Sequence, residues 1–169
     1  LIHNELAYTL WNQMAATNSV EKDETIKDAY VEVILDDEYM GVYLLQERYD
    51  AQKAPANEND VIYKSWGFDY PDSVETLGRF AVQKYPDEAT EDTLTPLWDW
   101  CRAFWADEQL PYEEALEVIE YENTLDYTLF LDLTAATDNM RKNIYFVARQ
   151  QEDGSYKLSC IPWDLNMTW

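Results

Sequence analysis

Residues 138–164 read DNMRKNIYFVARQQEDGSYKLSCIPWD, and their pattern decides the fold class. Asn143 to Arg149 (NIYFVAR) has the apolar, β-branched and aromatic make-up of a strand. Asp153-Gly154 is a hairpin turn signal, and Tyr156 to Ile161 (YKLSCI) reads as the returning strand. Pro162, Trp163 and Asp164 follow. A hairpin of this length folds back on itself, so Asp164 is expected to return close to Asn143. Immediately upstream, Tyr127, Phe130, Leu131 and Thr134 space as a helix that ends near Thr137, with Asn123 as its expected N-cap. A helix, a polar loop and an antiparallel hairpin in succession predict an α+β domain.

Working outward, Thr95-Pro96 is expected to open a helix, because Thr is a fair N-cap and Pro suits the first helical position. Its apolar stripe would be Leu97, Trp98, Cys101, Phe104 and Trp105, and Pro111 to Tyr121 reads as a further helix. Tyr30 to Leu35 (YVEVIL) and Tyr39 to Gln46 (YMGVYLLQ) form a predicted hairpin around Asp36-Asp37-Glu38, with Gly41 marking a bulge or a close backbone approach. Val61 to Lys64 (VIYK) is a short strand, whereas Ser65 to Glu91 reads as irregular. Loops are expected at Thr17 to Asp28 and at Ala51 to Asp60, around Pro55. Leu1 to Ala16 reads as a helix with Ile2, Leu6, Leu10 and Met14 on its apolar face. The chain opens inside that helical pattern and stops just past Asp164, which predicts a fragment of a longer protein.

The 169 residues hold 34 acids and 12 bases, a net charge of -22. That charge repels nucleic-acid backbones and anionic membranes. It suits basic partners or divalent cations, or serves solubility alone. Seven Trp and thirteen Tyr would fill a core or present rings to carbohydrate. Cys101 and Cys160 have no metal-ligand spacing and read as small buried apolar groups. His3, the only histidine, is expected at the surface or at a cap. No apolar run reaches the ~18 residues of a membrane span, and no signal-peptide pattern is present.

Asp138 and Asn143 stand at D-x-x-x-x-N spacing, followed by the hairpin and then Asp164. Protein kinases order their chemistry in this way. An Asp orients or deprotonates the attacking hydroxyl, and an Asn and a second Asp hold Mg²⁺ on the phosphates. The His-Arg pair that precedes the kinase Asp is replaced by Ala136-Thr137, and there is no D-F-G triplet.

Four blocks resemble the CotH family of spore-coat kinases, and with their spacers they cover most of the chain. IPWDLNMTW resembles its I-P-W-D-L-D signature, DNMRKNIYFV its D-N-x-x-x-N-x-Y segment, VIYK its L-Y-K strand, and VEVILDDEYMGVYLLQERYD its V-x-V-x-L-N-x-x-Y-x-G-x-Y-x-L-x-E-x-x-D block. The resemblance implies an atypical protein-kinase-like fold. Residues 1–90 would be an N-lobe-like part rich in hairpins, packed on a mostly helical C-lobe-like part, 91–169, that carries the catalytic-loop hairpin. It implies ATP and Mg²⁺ or Mn²⁺ as cofactors and a basic, Ser-rich protein substrate. It places such a protein at the spore coat or cell surface of a bacterium. Carried over by motif, Asp138 would be catalytic, Asp164 and Asn143 metal ligands, Lys64 the phosphate-contacting lysine, and Glu47 a cleft or ion-pair residue. Two departures stand out: Asn166 replaces the second acid of W-D-L-D, and no Gly-rich phosphate loop occurs. They leave a non-catalytic surface module as an alternative, and the Trp and Tyr content leaves a glycan-binding domain as another.

Overall fold

The expected hairpin forms the centre of the molecule. β5 (Ile144–Gln150) pairs antiparallel with β6 (Tyr156–Pro162) in unbroken register from Ile144↔Pro162 to Gln150↔Tyr156. Gly154, at φ +87, makes the turn, and the Asp153 carboxylate accepts from the backbone N–H and hydroxyl of Ser155. The computed structural model describes residues 2–17, 26–49, 57–105 and 109–169. The parts of the expected loops that fall at 18–25 and 50–56, Pro55 among them, lie outside the described residues.

β3 (Val61–Ser65) lies on the other side of β5, and β4 (Ala81–Tyr85) pairs with β3. The sheet order is β4-β3-β5-β6, so each half of the chain contributes two strands. Ile144 through Ala148 are all buried, as expected of an inner strand covered on both faces. β4 was expected to be irregular. It is only five residues long and its partner strand lies some way upstream, so the tertiary pairing is what makes it a strand.

β1 (Asp28–Leu35) and β2 (Glu38–Gln46) form a separate two-stranded ribbon. Asp36 and Asp37 turn it with φ +50 and +63, a left-handed pair that Asp tolerates. The bulge expected at Gly41 is present. Gly41, at φ +106, faces Val33, the register shifts at Ile34, and Met40 has no cross-strand partner.

Among the described residues, four α-helices pack on the sheet and on one another. α1 (Ile2–Ala15) buries Ala7, Tyr8, Trp11 and Ala15, whereas Ile2 and Leu6 are exposed. Of the expected stripe, Leu10 and Met14 pack against the core while Ile2 and Leu6 do not, and the buried face centres on Tyr8 and Trp11. Tyr8 and Trp11 outbid the smaller aliphatic side chains because a buried aromatic ring removes more area from water. His3 is exposed, as expected, and its Nδ1 donates to the Thr168 carbonyl at 2.7 Å.

α2 (Glu91–Phe104) starts a turn earlier than Thr95-Pro96 suggested. Thr90 is the cap: it accepts from the Thr93 backbone N–H while the Thr93 hydroxyl accepts from the Thr90 N–H. This reciprocal pair, with Glu91 and Asp92 at the positive end of the helix dipole, outweighs the missing N–H of Pro96 inside the helix. Phe80, Trp100, Trp105 and Phe146 pack ring to ring with centroids 4.6–5.8 Å apart. Other rings, among them Trp66, Phe68, Tyr112 and Trp169, are exposed, so the aromatic content is divided between core and surface. Cys101 and Cys160 are buried and are not joined in a disulfide.

α3 (Tyr112–Val118) precedes α4 (Tyr121–Thr134). Asn123 does not cap α4, whose N-cap is Glu120. It is fully buried and clamps the edge of β6. Its amide donates to the Cys160 carbonyl at 3.0 Å and its oxygen accepts from the Cys160 N–H at 2.6 Å. Asn123→Leu keeps the volume and leaves that N–H and C=O buried without this partner. Urea unfolding should show a loss of about 2 kcal/mol, the cost of buried polar groups deprived of hydrogen bonds; an unchanged midpoint would contradict the clamp.

Candidate functional site

α4 ends at Ala135, which adopts a left-handed φ of +50, and the chain enters a 3-10 turn, Thr137–Met140. Asp138 sits in this turn, part-exposed, with its carboxylate 2.8 Å from the Lys142 ammonium. The backbone N–H groups of Arg141 and Lys142 donate back to the Asp138 carbonyl. The turn therefore presents the Asp138 carboxylate outward while Lys142, four residues on, fixes it from the side.

Asn143 and Asp164 meet at the open end of the β5–β6 hairpin. The Trp163 N–H donates to the Asn143 carbonyl at 2.8 Å, so the closure expected from hairpin length is made. Both residues take left-handed backbone, φ +58 at Asn143 and +54 at Asp164, which Asn and Asp tolerate better than other side chains. The Asp164 N–H donates to the Tyr8 hydroxyl of α1 at 3.1 Å. Tyr8 is buried, and that burial, with the Asp164 charge also contributing, raises its pKa well above the ordinary tyrosine value.

Lys64 projects from β3 beside Tyr145 of β5, its register partner. Its ammonium lies 5.4 Å from the Tyr145 ring centre and 5.3 Å from that of Trp163, a cation–π cradle. Burial lowers its pKa, and the charges of Lys84 and Arg48 lower it further, while Asp164 opposes them. In a chain of 12 bases and 34 acids, Lys64 thus feels two other bases, Lys84 and Arg48, as well as Asp164. Glu47 closes the base of the β1–β2 ribbon: its N–H donates to the Lys27 carbonyl, and its carboxylate accepts from the Lys27 N–H at 3.2 Å. Its neighbour Arg48 brings this end of the ribbon to the border of the site.

Three residues that sequence reasoning missed hold this arrangement together. Asn139, 1% exposed, links the turn to the hairpin mouth, Tyr8 receives the Asp164 N–H, and Trp163 cradles Lys64. A buried Asn directly after the candidate catalytic Asp was the one signal available, and it carries weight only once its partners are known.

A cleft lined by Asp92, Asp99 and Glu117 opens at the opposite, Gly154 end of the hairpin. Its carboxylates repel phosphate, and it holds none of the candidate residues. Among the described residues no three or more His, Cys, Asp or Glu side chains cluster as a metal cage. The Asp164 carboxylate and the Asn143 amide oxygen are hard donors of the kind that suit Mg²⁺, an ion that commonly keeps waters and phosphate oxygens as its remaining ligands.

Over residues 1–169, its whole length, the chain matches the family model described as CotH kinase protein. No curated protein matches it.

Proposed function

The chain belongs to the CotH kinase family, and we propose that it is a metal-dependent protein serine kinase with an atypical kinase arrangement, transferring the γ-phosphoryl group of ATP to a basic, Ser-rich protein. The observation that carries this reading is the closure of the hairpin mouth. It sets Asp164 against Asn143 and beside Lys64, and gathers the acid, the amide and the cation that phosphoryl transfer uses.

Asp138 would orient the substrate hydroxyl and receive its proton. The serine oxygen forms a bond to the γ-phosphorus as the bond from that phosphorus to the bridging oxygen of ADP breaks. Lys142 holds the Asp138 carboxylate in place for this. Asp164 and Asn143 would hold Mg²⁺ or Mn²⁺, which when bound neutralises phosphate charge. Lys64 would contact the phosphates, with Lys84 and Arg48 adding local positive potential. That potential answers the difficulty that a chain of net charge -22 has in receiving a triphosphate. The same acidity elsewhere favours encounter with a basic substrate tail. A spore-coat or cell-surface setting belongs to this reading. No described helix is long and apolar enough to cross a membrane.

A second reading, a non-catalytic module on the same fold, is favoured by Asn166. It is exposed two residues beyond Asp164, where the family pattern has an acid. One experiment separates the two. Mg-ATP at about 100 times its Kd should stabilise the protein by about 2.7 kcal/mol, visible as a rise in Tm. Radiolabel should then appear on a basic serine peptide. Stabilisation without transfer would select the non-catalytic module, and neither effect would overturn both the kinase and the nucleotide site.

A further inference from the structure

We infer that Asn139 is a positioning residue, the clamp that sets Asp164 against Asn143; the catalytic part of this inference rests on the kinase reading above. The Asn139 side chain is buried, and its amide nitrogen donates twice, to the Asn143 carbonyl at 3.0 Å and to the Trp163 carbonyl at 2.8 Å. The Trp163 N–H reaches the same Asn143 carbonyl at 2.8 Å. One amide thus spans the start of β5 and the residue before Asp164, 24 positions away along the chain. Its own backbone carbonyl is held in turn by the Tyr127 hydroxyl of α4 at 2.7 Å. The helix is thereby connected to the hairpin mouth through two side chains, Tyr127 and Asn139.

It holds Asn143 directly, and Asp164 through the Trp163 that precedes it; both take left-handed backbone, φ +58 at Asn143 and +54 at Asp164. Such conformations persist only where the surroundings over-determine them. Without the bridge, the Trp163 carbonyl is released and the Asp164 carboxylate is free to shift. A displacement of about 1 Å at a positioned group costs about 100-fold in rate. Asn139 touches no substrate in this account and acts through Asp164.

The test uses Asn139→Asp, nearly isosteric but with no N–H to donate to the two carbonyls, and Asn139→Ala. Asn123→Leu serves as a control of similar structural cost far from the reacting groups. Expected are a kcat about 100-fold lower at an unchanged peptide KM, and faster hydrogen exchange at the Trp163 and Asp164 amides. The loss should also fail to add to that of Asp164→Asn in a double-mutant cycle. A kcat loss no greater than that of Asn123→Leu, or losses that add fully, would overturn the positioning role. Should the wild-type protein transfer no phosphate, the kinase reading fails and exchange alone decides. Faster exchange at Trp163 then supports the clamp, and unchanged exchange overturns it.

Discussion

Replacing Asp164 with Ala should lower kcat about a thousandfold, the upper range for removing one preorganised electrostatic group, and should abolish the Mg-ATP-dependent rise in Tm. Asp164 is the only carboxylate at the hairpin mouth among the candidate residues, and it is the negative charge that Lys64 feels. Its backbone allows a second, sharper comparison. At φ +54 an Ala residue costs about 1 kcal/mol relative to residues that accept the left-handed region, whereas Gly adopts it freely. Asp164→Gly is therefore expected to match or exceed the wild type in stability while being as inactive as Asp164→Ala. A Gly variant that retains transfer would remove Asp164 from the chemistry. One that loses transfer only in step with stability would reduce it to a structural residue. Stability rising as activity falls is the pattern of a strained residue kept for function.

How much of this could be read in the sequence depended on how local each determinant was. The β5–β6 hairpin, its Asp153-Gly154 turn and the return of Asp164 to Asn143 were legible because strand length and turn chemistry are set by neighbouring residues. The bulge at Gly41 was legible for the same reason. The cap of α2 was misplaced because Thr95-Pro96 and Thr90–Thr93 both carry start signals. The choice between them rests on a reciprocal side-chain pair that also engages Gln83, on whose amide oxygen the Thr93 hydroxyl donates at 2.8 Å. Asn123 offered a plausible cap, yet its amide matches the backbone of β6, 37 residues on. The site divides in the same way. Motif spacing singled out Asp138, Asn143, Asp164 and Lys64. Asn139 and Tyr8 gain their roles from partners 24 and 156 residues away, which no local pattern encodes.

The contrast on α1 turns that lesson into the largest stability effect expected. Trp11→Ala should destabilise the protein by about 3–5 kcal/mol, the range for emptying a buried aromatic site, whereas Leu6→Ala should stay within about 0.5 kcal/mol. By apolar periodicity Leu6 belonged to the core stripe, but it is 51% exposed and Trp11 is 0% exposed. Trp11 meets Tyr127 and Phe130 of α4 edge-on, with centroids 5.9 and 5.5 Å apart, so its removal opens a cavity and also forfeits two aromatic contacts. In Tm the Trp11 variant should fall by about 10 °C for a chain of this length, measured by calorimetry. The effect should reach the site as well. α1 carries Tyr8, whose hydroxyl receives the Asp164 N–H, and α4 carries Tyr127, whose hydroxyl holds the Asn139 carbonyl. Loosening the α1–α4 contact at Trp11 therefore frees both supports of the hairpin mouth, so the Trp11 variant should lose Mg-ATP stabilisation well below its own Tm, while the Leu6 variant keeps it. Equal losses in the two variants would mean that α1 packs through its aliphatic face after all, and that the coupling from α1 to Asp164 does not hold.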